Sequence, residues 1–426
     1  MYEPNLDMEF TRKRNNHTLP NARVVSSVVH AVGEVEKEDA RQFSLLVMQF
    51  GQFLDHDLTL TPQTPSCRGG CGAGEGGEDN VCCEQFLDYH ANPNSFPNYT
   101  RRPECWPIPI KDDPYFGEEG PKCLEFRRSL KVECDVFLRM PEDELTEFNE
   151  VTHVIDLSSV YGSLQDKSSE LRGFKKGLLK FNQFKDDMLP FELNFCPVSG
   201  STGDEESAHP LRHPKQFNAG DIRANENPGL QSIHTLWVKE HNRLAKEMYK
   251  KFPEKNDEEI FQETRKYVIA EWQNIIYNEW LPLVIGEKYM ESYGLFNIEN
   301  SQYDAKEKPT IVQEFSTAAF RFGHGLIRSI VELHQIEGKI TPTTKTAKPI
   351  QTENLDLSQQ FFKTGIIQTR KIQELVMGMT AQGTKEFGPQ MANAVRLQLF
   401  KPEDSIFGND LGKPLHSICL SIEIIE

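Results

Sequence analysis

Two histidines, one arginine and a few carboxylates carry the chemistry of this chain. His56 lies in Phe50-Gly-Gln-Phe-Leu-Asp-His-Asp57. Gln52 sits one helical turn before it, with Asp55 and Asp57 on either side. Arg223 and Glu226 lie in Gly220-Asp-Ile-Arg-Ala-Asn-Glu226, and His324 lies between two glycines in Phe320-Arg-Phe-Gly-His-Gly-Leu-Ile327. An imidazole titrates near working pH, so His56 can take a proton and return it. A guanidinium stays charged, so Arg223 can hold developing negative charge. A neutral imidazole can bind iron, which is the chemistry open to His324. Each also has a plainer reading: a solvent-facing helix histidine, a surface arginine, and a core histidine in tight helix contact. Taken locally, the plain reading of His324 comes first. Each flanking glycine costs about 1 kcal/mol inside a helix, so something packs close there.

Periodicity predicts the elements that must position these groups. An apolar stripe of Phe43, Leu46, Val47, Phe50 and Leu54 predicts a helix over 38–58, with Gln42, Gln49, Gln52 and His56 on another side. Further helices are expected over 229–251, 256–285, 310–334, 368–380 and 388–399. Residues 61–136 read as a long loop rich in Pro, Gly and Cys. Residues 199–220 read as a polar loop. Strand patterns are short and rare, and no internal repeat occurs. His234 and His241 stand two turns apart on one helix, too far for one metal, and read as structural.

The chain has 426 residues and a net charge of -17, with no basic face to suit nucleic acid. No apolar run is long enough to span a membrane. Of nine cysteines, seven fall between Cys67 and Cys134 (Cys67, Cys71, Cys82, Cys83, Cys105, Cys123 and Cys134) without zinc-finger spacing. They read as disulfides formed in an oxidising compartment, with Cys196 or Cys419 as the odd thiol. Asn16 and Asn98 open glycosylation sequons. The first 14 residues have no apolar core and do not read as a signal peptide.

The three histidine and arginine segments, in this order, resemble the animal haem peroxidase family (the myeloperoxidase, peroxidasin and peroxinectin group). The stretch Arg223-Ala-Asn-Glu226 is most similar to the peroxidasin and peroxinectin branch. The resemblance runs over 19–411, leaving a divergent segment 1–18 and a divergent tail 412–426. It implies a mainly α fold: one large helical haem-peroxidase domain with few short strands and a long disulfide-bearing loop. It implies haem b with His324 as the proximal iron ligand and His56 as the distal proton carrier. Arg223 would polarise bound hydrogen peroxide, and Gln52 would hold a water or halide. Asp55 and Glu226 match the carboxylates that esterify haem methyl groups. Asn227 stands where another branch carries a methionine, so a third, sulfonium link is not expected.

Thr152, Asp156 and Ser158 offer side-chain oxygens at alternate positions and Val154 offers its carbonyl. That spacing is either an ordinary loop or a calcium set. The family pattern adds Asp57 and favours calcium. The resemblance further implies phenolic, tyrosyl or halide electron donors, an extracellular setting and contact with matrix proteins. The family continues past Phe407-Gly-Asn-Asp-Leu411 with an asparagine that bonds the proximal imidazole, whereas this chain diverges there. Truncation with weakened haem retention is therefore expected. A non-catalytic adhesion or matrix-binding protein is the alternative, and a cyclooxygenase-like dioxygenase is a weaker third reading.

Overall fold

The structure, a computed structural model, describes residues 13–14, 17–18, 22–30, 36–39, 43–62, 82–83, 105–110, 113–117, 119–127, 129, 148–182, 188–191, 216–296, 304–306, 309–336, 349–369 and 371–401. Cys67, Cys71, Cys134, Cys196, Cys419, Asn16, Asn98, most of the 199–220 loop and the tail 412–426 lie outside them. The described chain is mainly helical. Its helices are α1 (Ala22–Val29), α2 (Leu45–Leu58), α3 (Ser158–Tyr161), α4 (Gln165–Leu171), α5 (Pro228–Lys251), α6 (Asp257–Ile275), α7 (Leu281–Ile285), α8 (Glu287–Ser292), α9 (Gln313–Thr317), α10 (Gly365–Gln368), α11 (Ile372–Ala381) and α12 (Asn393–Arg396). Among the described residues, strands pair in antiparallel twos: β1 (Lys13–Arg14) with β2 (His17–Thr18), β3 (Ile108–Pro109) with β4 (Cys123–Leu124), and β5 (Ile330–Ile336) with β6 (Pro349–Asp356).

The two long helices start where their caps dictate. The Asn227 side chain accepts from Leu230 N and Pro228 follows at the first turn, so α5 begins there. Asn256 and Glu259 form a reciprocal capping box, and three acidic residues favour the positive end of α6. A π-turn over Ile276–Trp280 joins α6 to α7, with Leu281 N bonded to Ile276 O. Pro282 has no N–H for the regular ladder, which accounts for the widening just before it.

That continuous rod clamps α2. The indole of Trp272 donates to Asp57 Oδ2 at 3.1 Å and that of Trp280 to Val47 O at 2.9 Å. Gly51 is required at the crossing, because a Cβ there would lie 2.9 Å from the Trp280 ring. Phe53, Leu54, Leu230, Ile233, Val268 and Trp272 are buried together in the main core. Burying a side chain of this class stabilises by roughly 1.5–3 kcal/mol, so the core holds α2 firmly between α5 and α6.

Two expected helices differ. Residues 38, 39, 43 and 44 are not helical: Glu38 and Ser44 pair as extended bridges with Lys385 and Gly383, and α2 begins only at Leu45. The expected 310–334 helix breaks into α9, a 3-10 segment over Ala319–Leu326, and β5. Gly323 and Gly325 weaken the helix, and beyond them Val331 and Leu333 alternate inward in strand fashion. The 388–399 helix shortens to α12, after Gly388 and Pro389. Cys82 and Cys83 pair with Cys105 and Cys123, fastening the cysteine-rich region to the β3–β4 pair.

Candidate active site

The last turn of α2 forms one side of the site. His56 is buried at 4% exposure. Its Nδ1 is sealed in protein without a partner, which leaves Nε2 as the atom able to meet a small ligand. Burial, and then the charge of Arg223, push its pKa well below the ordinary histidine value, with Asp221 opposing. The ring is therefore a neutral base at working pH.

Arg223 reaches this turn from a 3-10 segment over Ile222–Asn225. Its Nε and Nη2 donate to Asp221 Oδ1 and Oδ2 at 2.9 and 2.7 Å. Nη1 donates to Thr59 O at 2.8 Å and Nη2 to His56 O at 3.2 Å. Burial works against its charge, but Asp221 outweighs burial and keeps the guanidinium ionised. Burial alone would raise the Asp221 carboxyl, yet Arg223 holds it far below the carboxylate range. Arg223 thus fixes the end of α2 as well as supplying charge beside His56.

Gln52 donates to Glu226 Oε2 at 2.8 Å and accepts from Asn227 and Gln49 at 3.1 and 2.9 Å. The expected water or halide holder is thereby part of an amide–carboxylate chain joining α2 to α5. Asp55 accepts from Thr59 Oγ1 at 2.8 Å and from Arg321 Nη1 at 2.6 Å. Arg321 belongs to the same 3-10 segment as His324, three residues earlier. Side chains three apart eclipse in that helix type, so the Asp55–Arg321 pair aligns His324 with the His56 end of α2. The structure brings His56, Gln52, Asp55, Arg223, Glu226 and the His324 segment together.

His324 makes no hydrogen bond among the described residues. Burial, then Arg321 and His30, lower its pKa to about 3, so its ring is neutral and its lone pair is free. A Cβ built on Gly323 meets nothing within 4 Å, whereas one on Gly325 would lie 2.7 Å from Gly388 O. One glycine therefore opens space beside His324 and the other allows a close backbone contact. A partner-free neutral imidazole beside open space fits an iron porphyrin.

Behind the site, Asp57 accepts from Leu157 N at 3.0 Å and from Ser158 Oγ at 3.0 Å. Asp156 accepts from Thr152 Oγ1 at 2.8 Å. Burial and the neighbouring Asp156 raise the Asp57 pKa to about 6. His153 and Leu157 adopt left-handed φ values of 54° and 56°. Such strain in a short loop marks a shape held for a purpose. Two close carboxylates with hydroxyl neighbours fit a calcium ion. His241, by contrast, is fully bonded, accepting from Tyr161 OH and donating to Gly177 O, both at 2.9 Å. His234 packs edge-on against Phe53. Both fill structural places.

Asp221, Arg321, Trp272 and His30 escaped the sequence reading. Asp221 stood within the quoted Arg223 segment, and Arg321 within that of His324. Trp272 and His30 carried no signal.

The profile of the animal haem peroxidase family matches residues 2–413. Chorion peroxidase of Aedes aegypti is 31% identical over 407 residues, covering 92% of this chain and 45% of that protein. The peroxidasin homolog of Homo sapiens is 33% identical over 359 residues, covering 82% and 22%. Peroxidase A from Dictyostelium discoideum superposes with a TM-score of 0.67 at 25% identity, covering 96% of this chain and 68% of that one. The Oryza sativa fatty acid alpha-dioxygenase, with a TM-score of 0.61 at 17% identity over 96% of this chain and 59% of that one, shares the fold. The chain spans less than half the length of the curated relatives it matches.

Proposed function

This chain belongs to the animal haem peroxidase family, and on that premise we propose that it reduces hydrogen peroxide while oxidising phenolic, tyrosyl or halide donors outside the cell. The observation that carries the reading is the convergence of the His56 and His324 segments, each bearing a neutral imidazole. His56 and His324 are joined through the Asp55–Arg321 ion pair, with charged Arg223 beside the first.

His324 would hold haem through its free ring nitrogen, with Asp55 and Glu226 as the carboxylates within reach for ester links. Bound haem supplies an iron that exchanges two electrons with peroxide. His56 Nε2 takes the proton of the peroxide oxygen that is to be bound and returns it to the oxygen that leaves. Arg223 holds the negative charge that develops between these transfers. Gln52 orients the small ligand through its remaining amide proton. The two disulfides support an oxidising setting. No helix among the described residues is long and apolar enough to cross a membrane. Matrix proteins are proposed as sources of the phenolic donors.

The test is haem loading of the full chain. A Soret band together with peroxide-dependent guaiacol oxidation is expected. A chain that refuses haem would instead leave the non-catalytic matrix-binding reading.

Calcium is proposed at Asp57, Asp156, Thr152, Ser158 and the Val154 carbonyl, where it ties the 152–158 loop to α2. At calcium about 100-fold above its dissociation constant, binding adds about 3 kcal/mol of stability. Chelation is therefore expected to lower the melting temperature of the wild type and to leave Asp57→Ala unmoved. Equal melting temperatures of the wild type with and without chelator would remove calcium from the site.

A further inference from the structure

His30, the residue after α1, has a buried acceptor with nothing to accept. The residue is 6% exposed. Nδ1 meets the carbonyl oxygen of Pro389. That oxygen can only accept, so Nδ1 carries the proton and Nε2 keeps a lone pair. Nε2 is sealed from solvent and has no partner. Met391 N donates to His30 O at 3.1 Å, which fixes the residue a second time to the same segment.

That segment also borders His324. Gly388 packs on Gly325, the residue after His324, so closely that a Cβ on Gly325 would lie 2.7 Å from Gly388 O. Phe387 lies ring to ring with Phe322, two residues before His324, at 6.4 Å. Residues 387–391 therefore touch His30 and both flanks of His324. The two rings also lie within electrostatic reach of each other.

His324 offers the complementary deficit. One ring nitrogen is needed for iron, and the other then carries a proton that makes no hydrogen bond among the described residues. Metal-bound histidines almost always donate that proton to a defined acceptor. We propose that His30 Nε2 accepts the ring N–H of His324 and is a positioning residue for the iron-binding imidazole. This inference rests on the peroxidase reading. Its consequence is a fixed ring orientation and a more basic ligand nitrogen.

The experiment compares His30→Leu with His30→Gln in the haem-loaded full chain. The readouts are the iron–histidine stretching frequency of the ferrous protein and the haem dissociation constant. His30→Leu is expected to lower the frequency and to weaken haem binding about 10–100-fold. His30→Gln, which restores an oxygen acceptor, is expected to recover most of both. If His30→Leu does not fold, His30→Met supplies a second apolar variant. Wild-type values in the apolar variants, with histidine-ligated haem in the parent chain, would overturn this inference alone. A parent chain whose haem lacks a histidine ligand would overturn it together with the peroxidase reading.

Discussion

His56→Ala is expected to lower peroxide-dependent guaiacol oxidation by about 10^2–10^4-fold while haem stays bound. The size of the loss follows from what surrounds the ring. Every other base nearby is committed. Asp55 is held by Arg321 and Thr59, Asp57 by backbone N–H groups and Trp272, and Glu226 by Gln52. Asp221 is locked to Arg223 and far too acidic to take a proton. No carboxylate is placed to substitute. The ring makes no hydrogen bond through Nδ1, so its removal breaks no network and α2 remains clamped by Trp272 and Trp280. In the proposed site haem is held by His324, with which His56 makes no hydrogen bond. Turnover and the Soret band are thus expected to separate, with the first collapsing and the second persisting. Unchanged turnover with an intact Soret band would take the proton-carrying role away from His56.

Much of this arrangement was legible in the sequence, and the illegible part has a physical pattern. α5 and the α6–α7 rod were readable because Asn227, Pro228, Asn256 and Glu259 act within four residues of the backbone they cap. The region around His324 reads as one long helix in sequence because Phe315, Ala318, Ala319 and Phe322 keep helical spacing up to the glycines. Only the β5–β6 pairing shows that the chain then runs extended. The start of α2 failed for the same reason, since Glu38 and Ser44 take partners nearly 350 positions away. Within the site, residue types were legible and partnerships were not. Arg223 reads as a free charge in sequence. In the structure it spends three of its nitrogens on Asp221 and on the carbonyls of His56 and Thr59. Arg321 drew no reading of its own in sequence, and it spans 266 positions to reach Asp55. Long-range ion pairs leave no periodicity to find.

Those same buried groups should make the haem-free and calcium-free chain unfold steeply in mild acid. Four enclosed histidines are held neutral. Burial, the leading cause in each, lowers His234 and His241 to about 4 and His324 to about 3, and places His56 well below its ordinary value. Unfolded, each would take a proton near pH 6.5. Between pH 6.5 and about 4 the unfolded chain therefore binds up to four more protons than the folded one, and stability is lost as pH falls. Asp57 works in the opposite sense. Its folded pKa of about 6 lies above the unfolded value, so the folded chain holds one extra proton in this window. Among these five groups, four less one leaves three, a slope of about 4 kcal/mol per pH unit from them. A folded chain has about 5–15 kcal/mol in total, so the transition should be complete before Asp221 begins to titrate. Circular dichroism across this range would check the slope. His241→Gln should flatten the slope by about one proton, because the amide keeps the bonds to Tyr161 and Gly177 but has no proton to gain. Stability unchanged from pH 7 to 4.5 would mean that these rings are solvated rather than sealed. The burial that keeps His56 and His324 neutral would then be lost as the basis for their chemistry.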